Sequence, residues 1–264
     1  MNPEIARQHE ANIQSELDII GELQDQLHRR FPDGIEAGIA QYREWLRNEL
    51  TYTSNALEGS TLSSIETRMI IEDDAIIPDK SLREHLEARD HAIVWDYATD
   101  VLQNQPEISE ADILSLHRRV LYSTNNTEAG FLRRTGVRVA GSQTIFPNPL
   151  KVPDLVAALV ESINHLPAAL HPIVHAAHVH LDFVKIHPFV DGNGRTARLL
   201  MNVLLRRAGF PAVPIYPKDR REYLTAIEQA DTDAGGAFTA LIARSERETM
   251  EQLLDDGTVA ENER

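Results

Sequence analysis

Apolar residues recur at helical spacing along almost the whole chain. Ile5, Ile13, Leu17, Ile20, Leu23 and Leu27 form one stripe, broken at Pro32-Asp33-Gly34, and Ile35, Ile39, Tyr42, Leu46 and Leu50 form a second. Ser63 with Glu66, and Ser81 with Glu84, have the spacing of a capping box, in which serine and glutamate satisfy each other's free N–H groups at a helix start. Ser109 predicts a further start ahead of Ile113, Leu114, Leu116 and Val120, and Pro153 opens a run over 155–166. Helices are also predicted over 171–184, through the apolar run 199–205, and over 219–230 and 237–254, with 255–264 a polar tail. The stretch 130–149 departs from this pattern. Val137, Val139 and Ile145 alternate among glycines, and Pro147 and Pro149 close it, which predicts a short β-hairpin flap leaning on the helices. Twenty residues is also long for a plain connector, about four times the usual length. The expected fold class is mostly α, a helical bundle with a short β-hairpin flap. The expected organisation is an N-terminal helical extension over 1–50, linking helices over 51–105, a core over 106–254 and the tail over 255–264.

Composition narrows the possible partners. At 264 residues the chain can bury a large core, and with no cysteine it has neither disulfides, thiolate zinc sites nor a cysteine nucleophile. A net charge of −15 argues against nucleic acid as partner, although Arg133-Arg134, Arg195 with Arg198, and Arg206-Arg207 are local basic clusters able to line an anion pocket. Met1-Asn2-Pro3-Glu4 does not open a signal peptide, and no apolar run approaches the ~20 residues of a membrane helix. The expectation is a cytoplasmic chain with no membrane partner.

The densest chemistry lies at His187-Pro188-Phe189-Val190-Asp191-Gly192-Asn193-Gly194-Arg195-Thr196-Ala197-Arg198. This is a loop feeding a helix N-terminus, where free N–H groups receive anions. Gly192 and Gly194 allow close backbone approach, the Asn193 amide offers a donor, and Arg195 and Arg198 lie three residues apart, spaced to share a polyphosphate. Asp191 beside a phosphate suits Mg²⁺, which takes one or two carboxylates plus phosphate oxygens. His187 titrates near neutrality and can take a proton from an attacking hydroxyl.

This segment resembles the Fic family signature, H-x-F-x-D/E-G-N-G-R-x-x-R, at every position. The likeness continues into Ala129-Gly130-Phe131-Leu132-Arg133, Val137-Arg138-Val139, the helix around Leu116 to Leu121 and the stretch 178–186, covering roughly residues 50–245. It implies a Fic helical fold and a protein adenylyltransferase that moves AMP from ATP to a Ser, Thr or Tyr hydroxyl of a target protein and of itself. His187 would be the general base, and Asp191 the Mg²⁺ ligand. Gly192, Asn193 and Gly194 would form the anion hole, with Arg195 and Arg198 on the phosphates. Tyr223 and Ile227, one helical turn apart, resemble the adenine-side wall. Val137, Arg138, Val139 and Ile145 would clamp the target peptide by strand pairing. A homodimer is a family-based expectation. Asp231 stands where family members often have asparagine, Leu132 where an aromatic is usual, and Ala140 where glycine is usual.

Ser54-Asn55-Ala56-Leu57-Glu58-Gly59 resembles the family's inhibitory motif, S/T-x-x-x-E-G/N. Glu58 reaching Arg198 would occupy the γ-phosphate space and leave the α-phosphate out of line, with Ser54 one turn away steadying the carboxylate. In similar enzymes this glutamate also assists removal of AMP. Two other readings stay open. His171, His175, His178 and His180 crowd one stretch and could bind zinc for hydrolysis. Alternatively, the chain is a nucleotide-responsive binding module without turnover.

Overall fold

Serine capping sets three of the helix starts. Ser63, Ser81 and Ser109 each accept from the backbone N–H three residues on, and Glu66, Glu84 and Asp112 return the bond to the serine N–H. The third box uses an aspartate where only a cap was expected. The structure, a computed structural model, describes residues 10–39, 41–138, 144–168, 170–230, 232–233 and 235–262.

In chain order the helices are α1 (Gln14–Arg30), the single turn α2 (Ile35–Gly38), α3 (Tyr42–Leu57), α4 (Ser64–Asp73), α5 (Leu82–Asp100) and α6 (Glu110–Val120). They continue with α7 (Val152–Asn164), α8 (Pro172–Ile186), α9 (Asn193–Arg207), α10 (Arg220–Gln229) and α11 (Gly236–Asn262). The helical stripe 35–50 is not one helix. It breaks before Gln41, which adopts φ 61°, and restarts at Tyr42. Residue 50 lies inside α3, so the expected extension and the Ser54–Glu58 segment share a helix. The backbone also stays helical to Asn262, through the stretch expected to be a tail.

The core is built on α8 and α9, which pack together and are joined by the loop 187–192. α8 is buried on nearly every side, with Ile173, Val174, Ala176, Ala177, Val179, Leu181 and Phe183 all inside. That leaves no solvent-facing stripe and makes it the bundle's axis. α6, α7 and α11 pack against this pair, α1 lies along α11, and α3 rests on α4 and α5. A smaller cluster of Leu62, Ile70, Ile77 and Ala88 seals α4 against α5. Asn202 of α9 holds the incoming chain through a reciprocal pair with Val213.

The expected hairpin is not seen as strands. Among the described residues no strand occurs, and Val137, Arg138 and Ile145 lie in irregular backbone, Ile145 almost fully exposed. Val139 and Ala140 lie outside the described residues. Among the described residues no helix is long and apolar enough to cross a membrane.

Candidate functional site

The loop between α8 and α9 is made by two left-handed residues. His187 ends α8 at φ 49°, and its N–H still bonds to the Phe183 carbonyl; Gly192 starts α9 at φ 74°. Between them the Asn193 side chain bonds both backbone groups of Phe189, donating to its carbonyl at 2.9 Å and accepting from its N–H at 3.0 Å. The side-chain amide expected to contact an anion is therefore used to close the loop. What α9 offers an anion is its first-turn backbone N–H groups, which have no acceptor within the helix.

His117 of α6 supports the loop from below. Its ring stacks on Phe189 with centroids 3.5 Å apart, Gly130 N–H donates to Nδ1, and Nε2–H donates to the Asp191 carbonyl at 2.9 Å. Burial pushes its pKa down to about 4, so the ring is neutral with its proton on Nε2. A side chain on Gly192 would press on this ring and on Val120.

His187 is half-buried beside Phe146, ring centroids 4.1 Å apart. Its Nδ1–H points at the Val184 carbonyl at 3.3 Å, which leaves Nε2 as the unprotonated nitrogen. Burial, aided by the Arg133 charge and only partly offset by the Val184 bond, lowers its pKa to about 4. The imidazole is thus neutral at physiological pH and able to accept a proton.

Arg198, 5% exposed, gathers the other part of the site. Its Nε donates to Ser54 Oγ at 3.0 Å, and Nη2 donates to the Ser54 carbonyl at 2.9 Å and to Glu58 Oε1 at 2.6 Å. Nη1 donates to the Tyr223 hydroxyl at 3.0 Å, which also meets His180 Nε2 at 3.0 Å. Ser54 therefore holds the arginine and not, as expected, the carboxylate. Glu58 can reach because of how α3 ends. Gly59 at φ 104° donates to the Ala56 carbonyl and Ser60 N–H to the Asn55 carbonyl, a Schellman closure that leaves Glu58 at the C-cap of α3. Its carboxylate lies over Gly194, where a β-carbon would collide with Glu58 Oε1.

Arg195 faces elsewhere. It pairs with Glu87 at 3.2 Å and Asp191 at 3.6 Å, while Arg83 bridges the same two carboxylates at 2.9 and 3.0 Å, closing a ring of alternating charge. The two motif arginines do not sit side by side as their spacing suggested. Burial works to raise the Asp191 carboxyl, but Arg195, the Gly192 N–H and Arg83 outweigh it and hold it below the ordinary carboxylate range. An ionised, part-exposed oxygen donor beside a helix N-terminus fits Mg²⁺ shared with phosphate. Zinc ligation fits less well. Among the described residues no group of three or more His, Asp or Glu could hold a metal. His171 caps α8, His175 faces the Ile163 carbonyl, and His180 stacks on Phe238 and meets Tyr223.

Tyr223 is 3% exposed and lies in the core, a brace for Arg198 and not an open adenine-side wall. Ile227 packs half-buried against the same core. Asp231 lies outside the described residues.

A model of the Fic/DOC family matches residues 107–205. The structure superposes on a segment of Fic-1 from Caenorhabditis elegans with TM-score 0.83 and 30% identity, over 95% of this chain and 74% of that one. The chain belongs to the Fic/DOC family. It is also 37% identical over 252 residues to the protein adenylyltransferase Fic of Nematostella vectensis, covering 93% of this chain and 57% of the relative. With the protein adenylyltransferase fic-1 of Caenorhabditis briggsae it shares 37% identity over 206 residues, 77% of this chain and 40% of the relative. The chain thus spans between two fifths and three fifths of the length of these relatives.

The structure adds Arg83, Glu87 and His117 to this Fic site, which no spacing argument reached, and gives Arg133 backbone partners that its place in a basic pair did not show. Each comes from an element distant in sequence and acts through loop backbone or through an ion pair. Arg133-Arg134 was visible as a basic pair, but nothing local shows that one of the two is buried and the other exposed.

Proposed function

We propose that this Fic protein transfers the AMP of ATP to a Ser, Thr or Tyr hydroxyl of a target protein and of itself, and that Glu58 restrains it. Residues 106–254 serve as the catalytic core and 51–105 as the part that carries the brake. The observation that carries the reading is the Glu58–Arg198 contact at 2.6 Å directly over Gly194, a carboxylate seated where a helix N-terminus would receive a phosphate. In the reaction the target hydroxyl oxygen bonds to the α-phosphorus and the bond from that phosphorus to pyrophosphate breaks. The hydroxyl proton passes to His187 Nε2, left free by the Nδ1 contact with Val184. The first-turn N–H groups of Asn193 and Gly194 receive phosphate oxygens, Gly192 keeps that turn open to close approach, and Arg198, once freed from Glu58, takes the terminal phosphate. Arg195 acts on the phosphates through Asp191. Asp191 would hold Mg²⁺, which would supply charge neutralisation for the leaving pyrophosphate. On the modified target, Glu58 orients the water that removes AMP. The segment around Val137, Arg138 and Ile145 presents the target hydroxyl.

Incubation with α-labelled ATP and Mg²⁺ tests this. Glu58→Gly raises labelling of the protein itself by one to two orders of magnitude, since a misplacement of about 1 Å costs ~100-fold, and lowers AMP removal. His187→Ala in that background abolishes labelling, and γ-labelled ATP leaves no label. Equal labelling of wild type and Glu58→Gly discards the brake.

A further inference from the structure

We propose that Arg133 is the positioning residue of this site, fixing the backbone that carries the general base and both ends of the segment expected to hold the target. The proposal rests on the reading of His187 as the base.

Arg133 is 2% exposed, and among the described residues no carboxylate pairs with it. All its partners are carbonyls. Nε donates to the His187 carbonyl at 2.7 Å, and Nη2 to those of Pro147 at 2.7 Å and Ile186 at 3.4 Å. Nη1 donates to the Thr135 carbonyl at 3.1 Å, and the backbone N–H to that of Pro188 at 2.9 Å. One side chain thus ties the end of α8 to Thr135 and Pro147, which bracket the segment between them. Burying a cation without a counterion is costly, and the cost is met here by a helix C-terminus, whose free carbonyls carry partial negative charge. The arrangement also answers a strain. His187 is a non-glycine residue in the left-handed region, which costs about 1–2 kcal/mol and persists only where the surroundings over-determine it. Anchoring Pro147 in turn places Phe146 against the His187 ring. The guanidinium stands near enough to lower the imidazole pKa, against the raising effects of Glu58 and Asp191. A lysine keeps the charge but cannot span these carbonyls from one nitrogen, and a glutamine keeps neither the charge nor the span.

The test uses the full chain in the Glu58→Gly background, with Arg133→Lys and Arg133→Gln. Each variant is followed by thermal melting, by kcat and KM for ATP, and by NMR titration of the His187 imidazole. Both variants are expected to lose about 10–100-fold in kcat with a smaller change in KM. The imidazole pKa is expected to rise in Arg133→Gln and to stay low in Arg133→Lys. A kcat within twofold of the parent in both variants overturns the proposal, as does a loss confined to KM. Failure of Arg133→Lys to fold also overturns it, because the residue is then structural alone. Should His187→Ala keep its transfer activity, the base reading fails separately, and an unmoved His187 titration in Arg133→Gln would then overturn the clamp.

Discussion

In the proposed reading, Glu58 restrains the site more by where it sits than by how tightly it is held. Its side chain is 41% exposed, so solvent screens its pair with Arg198, and exposed ion pairs are typically worth about 0–1 kcal/mol. The deeper contacts, to the Ser54 hydroxyl and carbonyl and to the Tyr223 hydroxyl, lie in the interior and keep the guanidinium in place. A triphosphate binding as proposed would therefore displace only the outermost of the arginine's partners. This sets an order among substitutions. A hydrogen bond to a charged group contributes about 1.5–3 kcal/mol, but the Ser54 contacts persist once Glu58 is displaced, so Ser54→Ala should raise self-labelling by no more than about twofold, far less than Glu58→Gly. Initial rates of label incorporation at fixed ATP check it. A Ser54→Ala rate equal to that of Glu58→Gly would show that Glu58 holds nothing without the serine.

At the scale of the element, the proposed brake is the C-terminal turn of α3, anchored on both sides. Arg220 donates to the Leu57 carbonyl at 3.0 Å, and beyond the turn Glu84 accepts from the Thr61 N–H and hydroxyl while Lys80 donates to the Thr61 carbonyl. Gly59 is the hinge of this arrangement. Its φ of 104° suits glycine, yet a β-carbon there would meet nothing within 4 Å. Gly59→Ala therefore acts through the backbone alone. It should cost about 1–2 kcal/mol of stability, turn Glu58 away from Arg198 and raise labelling several-fold, measured by melting and by α-label incorporation. Unchanged labelling in a destabilised protein would show that the turn tolerates the change without moving Glu58. Such elements were partly legible in the sequence, for a physical reason. Capping residues are local chemistry, so Ser63, Ser81 and Ser109 marked their boundaries. Gln41 itself carries no such signal, being an exposed non-glycine residue at φ 61°. The helical continuation past residue 254 has no apolar stripe to announce it. The Asn193, Tyr223 and Ser54 contacts were misread because each partner is chosen by tertiary proximity, which spacing along one helix does not contain.

The whole molecule stores several neutral histidines in its interior, and this shapes its response to acid. Burial lowers His91 to about 3 and His117 and His187 to about 4, and holds His180 well below its ordinary value. Because these folded-state values are depressed, the stabilisation they carry is complete above the ordinary 6.5 and is lost as pH falls toward the folded values. The unfolded chain takes up protons there and the folded one does not. Each histidine contributes a slope of about 1.4 kcal/mol per pH unit in that window. Glu246 works in the opposite sense. It is fully buried, both its oxygens lack a partner, and burial raises its pKa well above 4.5, so its contribution is present below 4.5 and is lost as pH rises. Four histidines outweigh one glutamate, and Tm should fall steadily from pH 7 to pH 5. Replacing the buried acid, Glu246→Met, removes the alkaline-side cost and should raise Tm at pH 7.5, with the gain shrinking toward pH 5. Thermal melts of both proteins across that range decide it: a gain independent of pH would mean that Glu246 destabilises by its shape and not by its proton.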